Sequence, residues 1–232
     1  MTISLTNPHS ILAVLESRPQ DILQATFSKT TGKNSLHGIW DRVFTRAKEN
    51  GIQIKEGPGT GSFLVRERKP ISMEDFFSKV KETGKDRGLW LALDSIQDPH
   101  NIGAIFRTAA FFGVNGILLS EARSAPVSAV VYDVSCGGVE YVPFSIATNL
   151  ARALELAKEA GLWVLGTSEH AKLSIEEVKA DRPWLLVLGG EGKGMRRLVG
   201  DMCDMTCSVP ARGQVGSLNV SVAAGVLISR LV

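Results

Sequence analysis

Three short stretches hold the residues whose types and spacing can do chemistry. In "NIGAIFR", residues 101–107, Asn101 is placed to cap a helix. Arg107 lies one turn beyond Gly103, which leaves bare backbone beneath the guanidinium on one face. An arginine so placed can clamp a phosphate or steady a developing oxyanion; it can equally be a solvated charge on an amphipathic helix. In "GGEGKGM", residues 189–195, a Walker loop would need Ser or Thr where Gly194 follows Lys193, and a dinucleotide fingerprint would need glycine where Met195 stands. What remains is a loop that presents peptide groups and one carboxylate, Glu191. It suits a ligand with an adenosine or amino-acid end, or makes a plain turn. In "PARGQVGSLNVSVAAGVLISRLV", residues 210–232, a glycine-broken polar loop runs straight into an apolar helix. Ser217 and Asn219 are good N-caps, so the stretch alone does not decide between cap and site. His9, His37, His100 and His170 form no metal pair and no triad, and no metal is expected.

These stretches need strands and helices to hold them. "GLWLALD", "NGILLS", "GLWVLGT" and "PWLLVLGG" are short continuous apolar runs, separated by helical patterns such as "NIGAIFRTAAFFG" and "NLARALELAKEAG". Continuous rather than alternating apolarity marks strands covered on both faces, hence a mostly parallel sheet in an α/β fold. Ligands in such sheets sit at the carboxyl ends of strands, where "DSIQDPHNIGAIFRTA" and "GGEGKGM" fall. Ahead of this block, "SILAVLE" and "SLHGIWDRVFTRAKENG" carry helical spacing, the second closed by Gly51. "QATFSK", "IQIKE" and "GSFLVRE" are short extended runs beside them. The order helix, strand, helix, strand describes a small α/β unit over 1–72. The charged segment 73–88, with the amphipathic piece "MEDFFSKVKETG", reads as a linker to a larger domain over 89–232.

With 232 residues, 44% hydrophobic content and a mean hydropathy of +0.08, the chain has a real core and is neither disordered nor fibrous. Its start has no basic region followed by a long apolar run, and nothing approaches the ~18 apolar residues of a membrane span. An intracellular, cytoplasmic protein with no membrane partner is expected. Cys136, Cys203 and Cys207 cannot all pair, and Cys-x-x-x-Cys without nearby histidine is a poor zinc signature, so buried free thiols are expected. Residues 1–88 hold 14 Lys/Arg against 10 Asp/Glu, a net of +4, and residues 89–232 hold 12 against 14, a net of −2. A basic front can face RNA phosphates or form a solvated mixed surface.

In this order, "DPHNIGAIFRTAAFFGV", "LVLGGEGKGMRRL" and "VPARGQVGSLNVSVAAGVL" resemble the three motifs of the SpoU (TrmH) branch of the SPOUT RNA 2′-O-ribose methyltransferases. Between the first two, "SAPVSAVVYDVSCGGVEYVPF" is similar to the bacterial 23S rRNA guanosine-2′-O-methyltransferases of the RlmB type. The likeness runs over 89–232. It implies an α/β domain threaded into a trefoil knot, S-adenosylmethionine as methyl donor, RNA as substrate, and a homodimer whose sites are completed across the interface. By the same resemblance, Asn101, Arg107, Glu191, Ser217 and Asn219 match polar site positions. Backbone near Gly189, Val209 and Leu218, with Gly190 and Gly192 allowing close approach, would hold the donor. The front domain resembles the L30e-like RNA-binding domain of many relatives, with departures: "GPGTGSF" stands for the usual Gly-x-His-Gln-Gly, and "NPHSILAVL" for Gly-x-His-x-Val. The function expected is 2′-O-methylation of a 23S rRNA guanosine. A tRNA enzyme and a catalytically silent RNA-binding or assembly factor are the alternatives.

Overall fold

A computed structural model describes residues 1–27, 38–57, 61–82, 87–190, 192 and 194–232. The chain opens with strand β1 (Thr2–Leu5), helix α1 (Pro8–Ser17), strand β2 (Ile22–Phe27), helix α2 (Ile39–Glu49) and strands β3 (Ile54–Glu56) and β4 (Ser62–Arg66). Their sheet runs β1-β4-β2-β3, with β2 and β3 parallel and the other pairs antiparallel. Asn7 starts α1 by accepting the His9 amide, with Pro8 preset for the first helical position. Gly51 takes a left-handed φ of 69° one residue past the α2 cap, Asn50. β1 is absent from the order read in the sequence. At four residues, with only Ile3 and Leu5 turned inward, it is too short for its alternation to register.

The segment taken as a linker carries helix α3 (Met73–Glu82), and it does not act as a free tether. Phe76, Phe77 and Val80 are buried in one cluster with Trp90, Leu118 and Leu154. The Ile71 amide donates to the Phe144 carbonyl at 2.9 Å. Its apolar stripe belongs to the larger domain's core, which is what its amphipathic spacing was for.

That domain contains β5 (Gly88–Asp94), α4 (Pro99–Phe112), β6 (Gly116–Ser120), α5 (Ala129–Ser135), α6 (Gly138–Tyr141), β7 (Phe144–Ala147) and α7 (Leu150–Glu159). It continues with β8 (Trp163–Thr167), β9 (Leu173–Ser174), β10 (Pro183–Gly189), α8 (Arg197–Asp201), β11 (Met205–Ser208) and α9 (Val220–Leu231). The sheet order is β7-β6-β5-β10-β8-β11-β9, and every neighbouring pair is parallel. Both faces are covered. Leu91, Leu93, Ile117, Leu119, Leu186 and Leu188 share a cluster with Ile102 and Phe106 of α4 and Leu227 of α9. The alternate residues Trp90, Ala92, Leu118, Leu185 and Val187 pack with Phe76 of α3 and Leu154 of α7. Among the described residues, no helix is long and apolar enough to cross a membrane. All three cysteines are free; burial pushes the Cys203 and Cys207 thiols up to about 11.

The two units are joined by polar contacts, from exposed ones at Asp133 to a buried pair at Glu140. The Asp133 carboxylate of α5 accepts from the Thr6 hydroxyl at 2.7 Å and the Asn7 amide at 3.2 Å, and the Asp133 carbonyl accepts from the Asn7 side chain at 2.8 Å. Arg18 of α1 donates through Nε and Nη2 to both oxygens of Glu140 in α6, each at 2.8 Å. The Glu140 side chain is 1% exposed and that of Arg18 10%. The Arg68 amide donates to the Tyr132 hydroxyl at 2.7 Å, and burial pushes that phenol up to about 12. Truncating one partner of a buried, bidentate pair strands the other charge, at a cost of about 3–5 kcal/mol. Arg18→Ala is therefore expected to lower the melting temperature by roughly 6–20 °C for a chain of this size. The double change Arg18→Met with Glu140→Leu should recover most of the loss; melts of the three proteins check both statements.

Candidate active site

β5 and β10 lie side by side and end in register, Asp94 opposite Gly189. Both ends are polar although the strands are otherwise apolar, and the chain makes its tightest crossing just beyond them. The Gly190 amide donates to the Asp94 carbonyl at 2.9 Å. A Cβ on Gly190 would lie 2.3 Å from the Ser95 carbonyl oxygen, and one on Gly189 would lie 2.2 Å from the Met195 nitrogen. Only glycine fits at either position. Ser95 itself takes a left-handed φ of 61°.

The Asp94 carboxylate, fully buried, anchors the arc that follows Gly190. One oxygen accepts from the Arg196 amide at 2.7 Å; the other accepts from Arg196 Nε at 2.7 Å and from the Ser95 hydroxyl at 3.2 Å. Arg196 Nη2 continues to the Ser120 hydroxyl at 3.0 Å, at the end of β6. The arc closes on itself through the Gly194 amide and the Gly190 carbonyl at 3.0 Å. Asp94, Ser95 and Arg196 were not among the residues read from the sequence. An aspartate ending a wholly apolar strand was the available signal, since a buried carboxylate requires a partner.

Above the arc is a cavity of about 1240 Å³. Gly189, Gly190, Gly192, Val209, Leu218, Ser217 and Asn219 all line it, so seven of the ten sequence-assigned residues meet at one place. Gly192 and Gly194 have left-handed φ values of 78° and 63°, and nothing lies within 4 Å of where their Cβ atoms would be. Thr167 to Ala171, after β8, form the far wall. Cys207 also lines the cavity; with its thiol pushed up by burial it stays protonated near neutrality and is no nucleophile. Glu191 lies outside the described residues.

Asn219 is the N-cap of α9. Its side-chain oxygen accepts from the Ser221 amide at 2.9 Å and the Ser221 hydroxyl at 2.6 Å, while its nitrogen donates to Asn101 Oδ1 at 3.0 Å. Cap and wall are one residue. Asn101 differs from expectation: Asp98 caps α4 by accepting the His100 amide, and Pro99 takes the first helical position. Asn101 is thereby carried inside the helix, buried, where its side chain meets that of Asn219. Gly103 also differs. A Cβ there would lie 2.7 Å from Val134 Cβ and 2.9 Å from the Val131 carbonyl, so this glycine admits α5 and does not bare backbone beneath Arg107. Arg107 is exposed on α4 and does not line the cavity. Gly190→Ala is expected to cost roughly 1–3 kcal/mol by overpacking against backbone. Gly213→Ala, with open space around it, should leave the urea midpoint unchanged; unfolding curves of the two variants check this.

Comparison with known proteins gives this geometry a family. The model of the SpoU rRNA Methylase family matches residues 88–229. The 23S rRNA (guanosine-2′-O-)-methyltransferase RlmB of Vibrio parahaemolyticus is 44% identical over 233 residues, covering 95% of this chain and 92% of that protein. The RlmB of Nitrosomonas europaea is 41% identical over 213 residues, covering 92% of this chain and 78% of its own. Among solved structures, the SpoU methyltransferase AviRb of Streptomyces viridochromogenes in complex with AdoMet shares the fold, with a TM-score of 0.77 at 19% identity over 99% of this chain and 89% of that one. Matched over its whole larger domain, and that closely related to proteins of the same type, the chain belongs to the SpoU rRNA methylase family.

Proposed function

We propose that this protein transfers the methyl group of S-adenosylmethionine to a ribose 2′-hydroxyl of RNA, and that its target is a guanosine of 23S rRNA, the substrate in its relatives' names. The observation that carries the reading is the glycine arc at the end of β10, facing a cavity whose other wall is the Asn219 loop. The cavity fits the donor: it is roomy, its floor at Gly192 and Gly194 is bare backbone, and Leu188, Val209 and Leu218 supply apolar contact.

Bound there, S-adenosylmethionine supplies a methyl carbon made electrophilic by its sulfonium. The chain's own task is to hold the acceptor hydroxyl in line and favour its loss of a proton. Backbone at Gly189, Gly190, Gly192, Val209 and Leu218 holds the donor in this reading. Asn219, braced by Asn101 and Ser221, fixes the loop, and Ser217 offers a hydroxyl on the same wall. Arg107 is assigned to the developing alkoxide and the neighbouring phosphate. A guanidinium stabilises negative charge far better than it accepts a proton. Glu191 keeps the polar role implied by the family.

Arg107 works in this reading only if α4 faces a second copy. It shares an exposed face with Phe111, one turn on, whose ring is 82% exposed, and α9 crosses α4 beside it with Val222 53% exposed. An apolar face of two helices with one arginine on it supports a homodimer that brings Arg107 to the partner's cavity. The triple approach of Ser95, Gly189–Gly190 and Gly194–Met195 supports reading the crossing as the trefoil knot. The basic unit over 1–72 is assigned to gripping RNA as an L30e-like domain, and a ribosomal RNA substrate supports a cytoplasmic location.

Tritiated S-adenosylmethionine with undermodified 23S rRNA, followed by alkaline hydrolysis, should yield label in a resistant dinucleotide; label only with tRNA would replace the substrate. Arg107→Ala is expected to lower kcat by roughly 10²–10³-fold, as loss of an oxyanion-stabilising group does, with cofactor affinity by calorimetry unchanged. Asn219→Ala should weaken both cofactor binding and stability, the latter by about 1 kcal/mol for the lost cap. Phe111→Lys should shift the protein from dimer to monomer in sedimentation and abolish activity with its melt largely retained.

A further inference from the structure

A second recess lies on the same carboxyl-end face of the sheet, on the far side of β5 from the cofactor cavity. It is shallow, about 420 Å³, and is lined by Gln97, Pro99, Arg123, Ser124, Pro126 and Ser128 among others. These residues come from the loops after β5 and β6 and from the first turn of α4, two residues before Asn101. Pro99, Ser124, Pro126 and Ser128 fall within stretches that carry the family resemblance, and Gln97 within one at a strand's carboxyl end, but none of them was assigned a role from the sequence.

Three features of the recess have no structural explanation within the chain. The Ser124 hydroxyl is buried and has no hydrogen-bond partner among the described residues. A buried hydroxyl left unpaired is costly, and an unmet one marks a place where something else bonds. Arg123, exposed, sits in the left-handed region with φ 59°, where glycine or asparagine would be relaxed and an arginine is strained. Ser128 begins α5 without using its side chain as a cap. Among the described residues, no carboxylate lines the recess. A cation, two hydroxyls with unused bonding capacity and an amide from Gln97 suit an anion that accepts several hydrogen bonds at once.

We propose that this recess is a subsite for an RNA phosphodiester flanking the methylated nucleotide, with Arg123 pairing the phosphate and Ser124 and Ser128 donating to its oxygens. The proposal rests on the reading of the protein as an RNA ribose methyltransferase. The position supports it. A strand whose target ribose lies at the Asn101–Asn219 end of the cavity must continue across the carboxyl ends of the strands. The loops after β5 and β6 are the next surface there. A serine needs only a χ1 rotation to turn its hydroxyl toward such a ligand.

The test uses the full-length protein, undermodified 23S rRNA, and filter binding alongside methyl transfer. Arg123→Asn suits the left-handed backbone and removes the charge. It is expected to raise KM for RNA roughly tenfold, the scale of a lost charged hydrogen bond, more than it lowers kcat. It should also reduce the slope of log affinity against log salt by about one phosphate contact, 0.7–0.9. Arg152→Asn, on exposed α7, should leave that slope as it is. Ser124→Ala should weaken RNA binding while raising the melting temperature, because it deletes an unmet hydroxyl; a packing role would lower the melt instead. An unchanged KM and salt slope for Arg123→Asn, or a loss of cofactor affinity equal to the loss for RNA, would overturn the subsite. Should the wild type methylate no RNA, the enzymatic reading fails, and the salt slope still decides whether the recess binds phosphate.

Discussion

A carboxylate with no solvent around it governs the architecture of the site. A buried carboxylate without partners would cost several kcal/mol. Two donors from Arg196 and one from Ser95 offset that cost. That requirement ties the arc 190–196 back to the strand it has just passed, and through Ser120 to the strand beyond. The strand order makes this the place where it must happen. β5, β6 and β7 build outward on one side of the sheet, whereas β10 enters between β5 and β8. The gap between β5 and β10 is the point where the winding reverses, and crevices form at such points in open parallel sheets. The glycines at 189 and 190 follow from the same closeness, since backbone there meets backbone with no room for a methyl group.

The front unit is fixed to this frame by contacts of the same kind. Arg18 and Glu140 are buried as a bidentate pair, and Asp133 ties down the start of α1. Both acids belong to the short helices α5 and α6, which lie against α4. Gly103 admits α5 and Gly138 lets α6 approach the Phe106 carbonyl, so α4 is clasped on that side. On the other side α9 crosses it near Thr108 and Gly225. One helix thus has the front unit on one flank and the cavity's closing loop on the other. The front unit is thereby held at a set distance from the cavity.

The sheet was legible because four of its seven strands are nearly continuous apolar runs, and these were quoted from the sequence with nearly their observed bounds. β7, β9 and β11 were not, since two to four residues at the margins of a sheet leave no periodic trace. β1 failed for the same reason. The glycine arc and the Asn219 loop were visible as breaks in pattern, and the structure brings them together across one cavity. Polar partners that pair across the fold were invisible. Nothing local links Asp94 to Arg196, Arg18 to Glu140 or Asn101 to Asn219, because each pair meets only after strand order has been decided. Asn101 as a cap was a local inference displaced by a better one: in "DPHN", Asp98 with Pro99 behind it starts a helix three residues earlier.

Asn101 and Arg107 show what a linear motif conceals. Six residues on an α-helix span about 600° of rotation, so the two side chains point in directions roughly 120° apart. They cannot serve one surface of one chain. Asn101 turns inward to brace Asn219, while Arg107 turns outward beside Phe111. A motif that reads as a single cluster in sequence is therefore divided in space, with one member bracing a residue of its own cavity's wall and the other presented away from it. Were both needed at one ribose, the second cavity edge would have to come from outside the chain. The exposed apolar face around Arg107 is the surface on which that supply would be made.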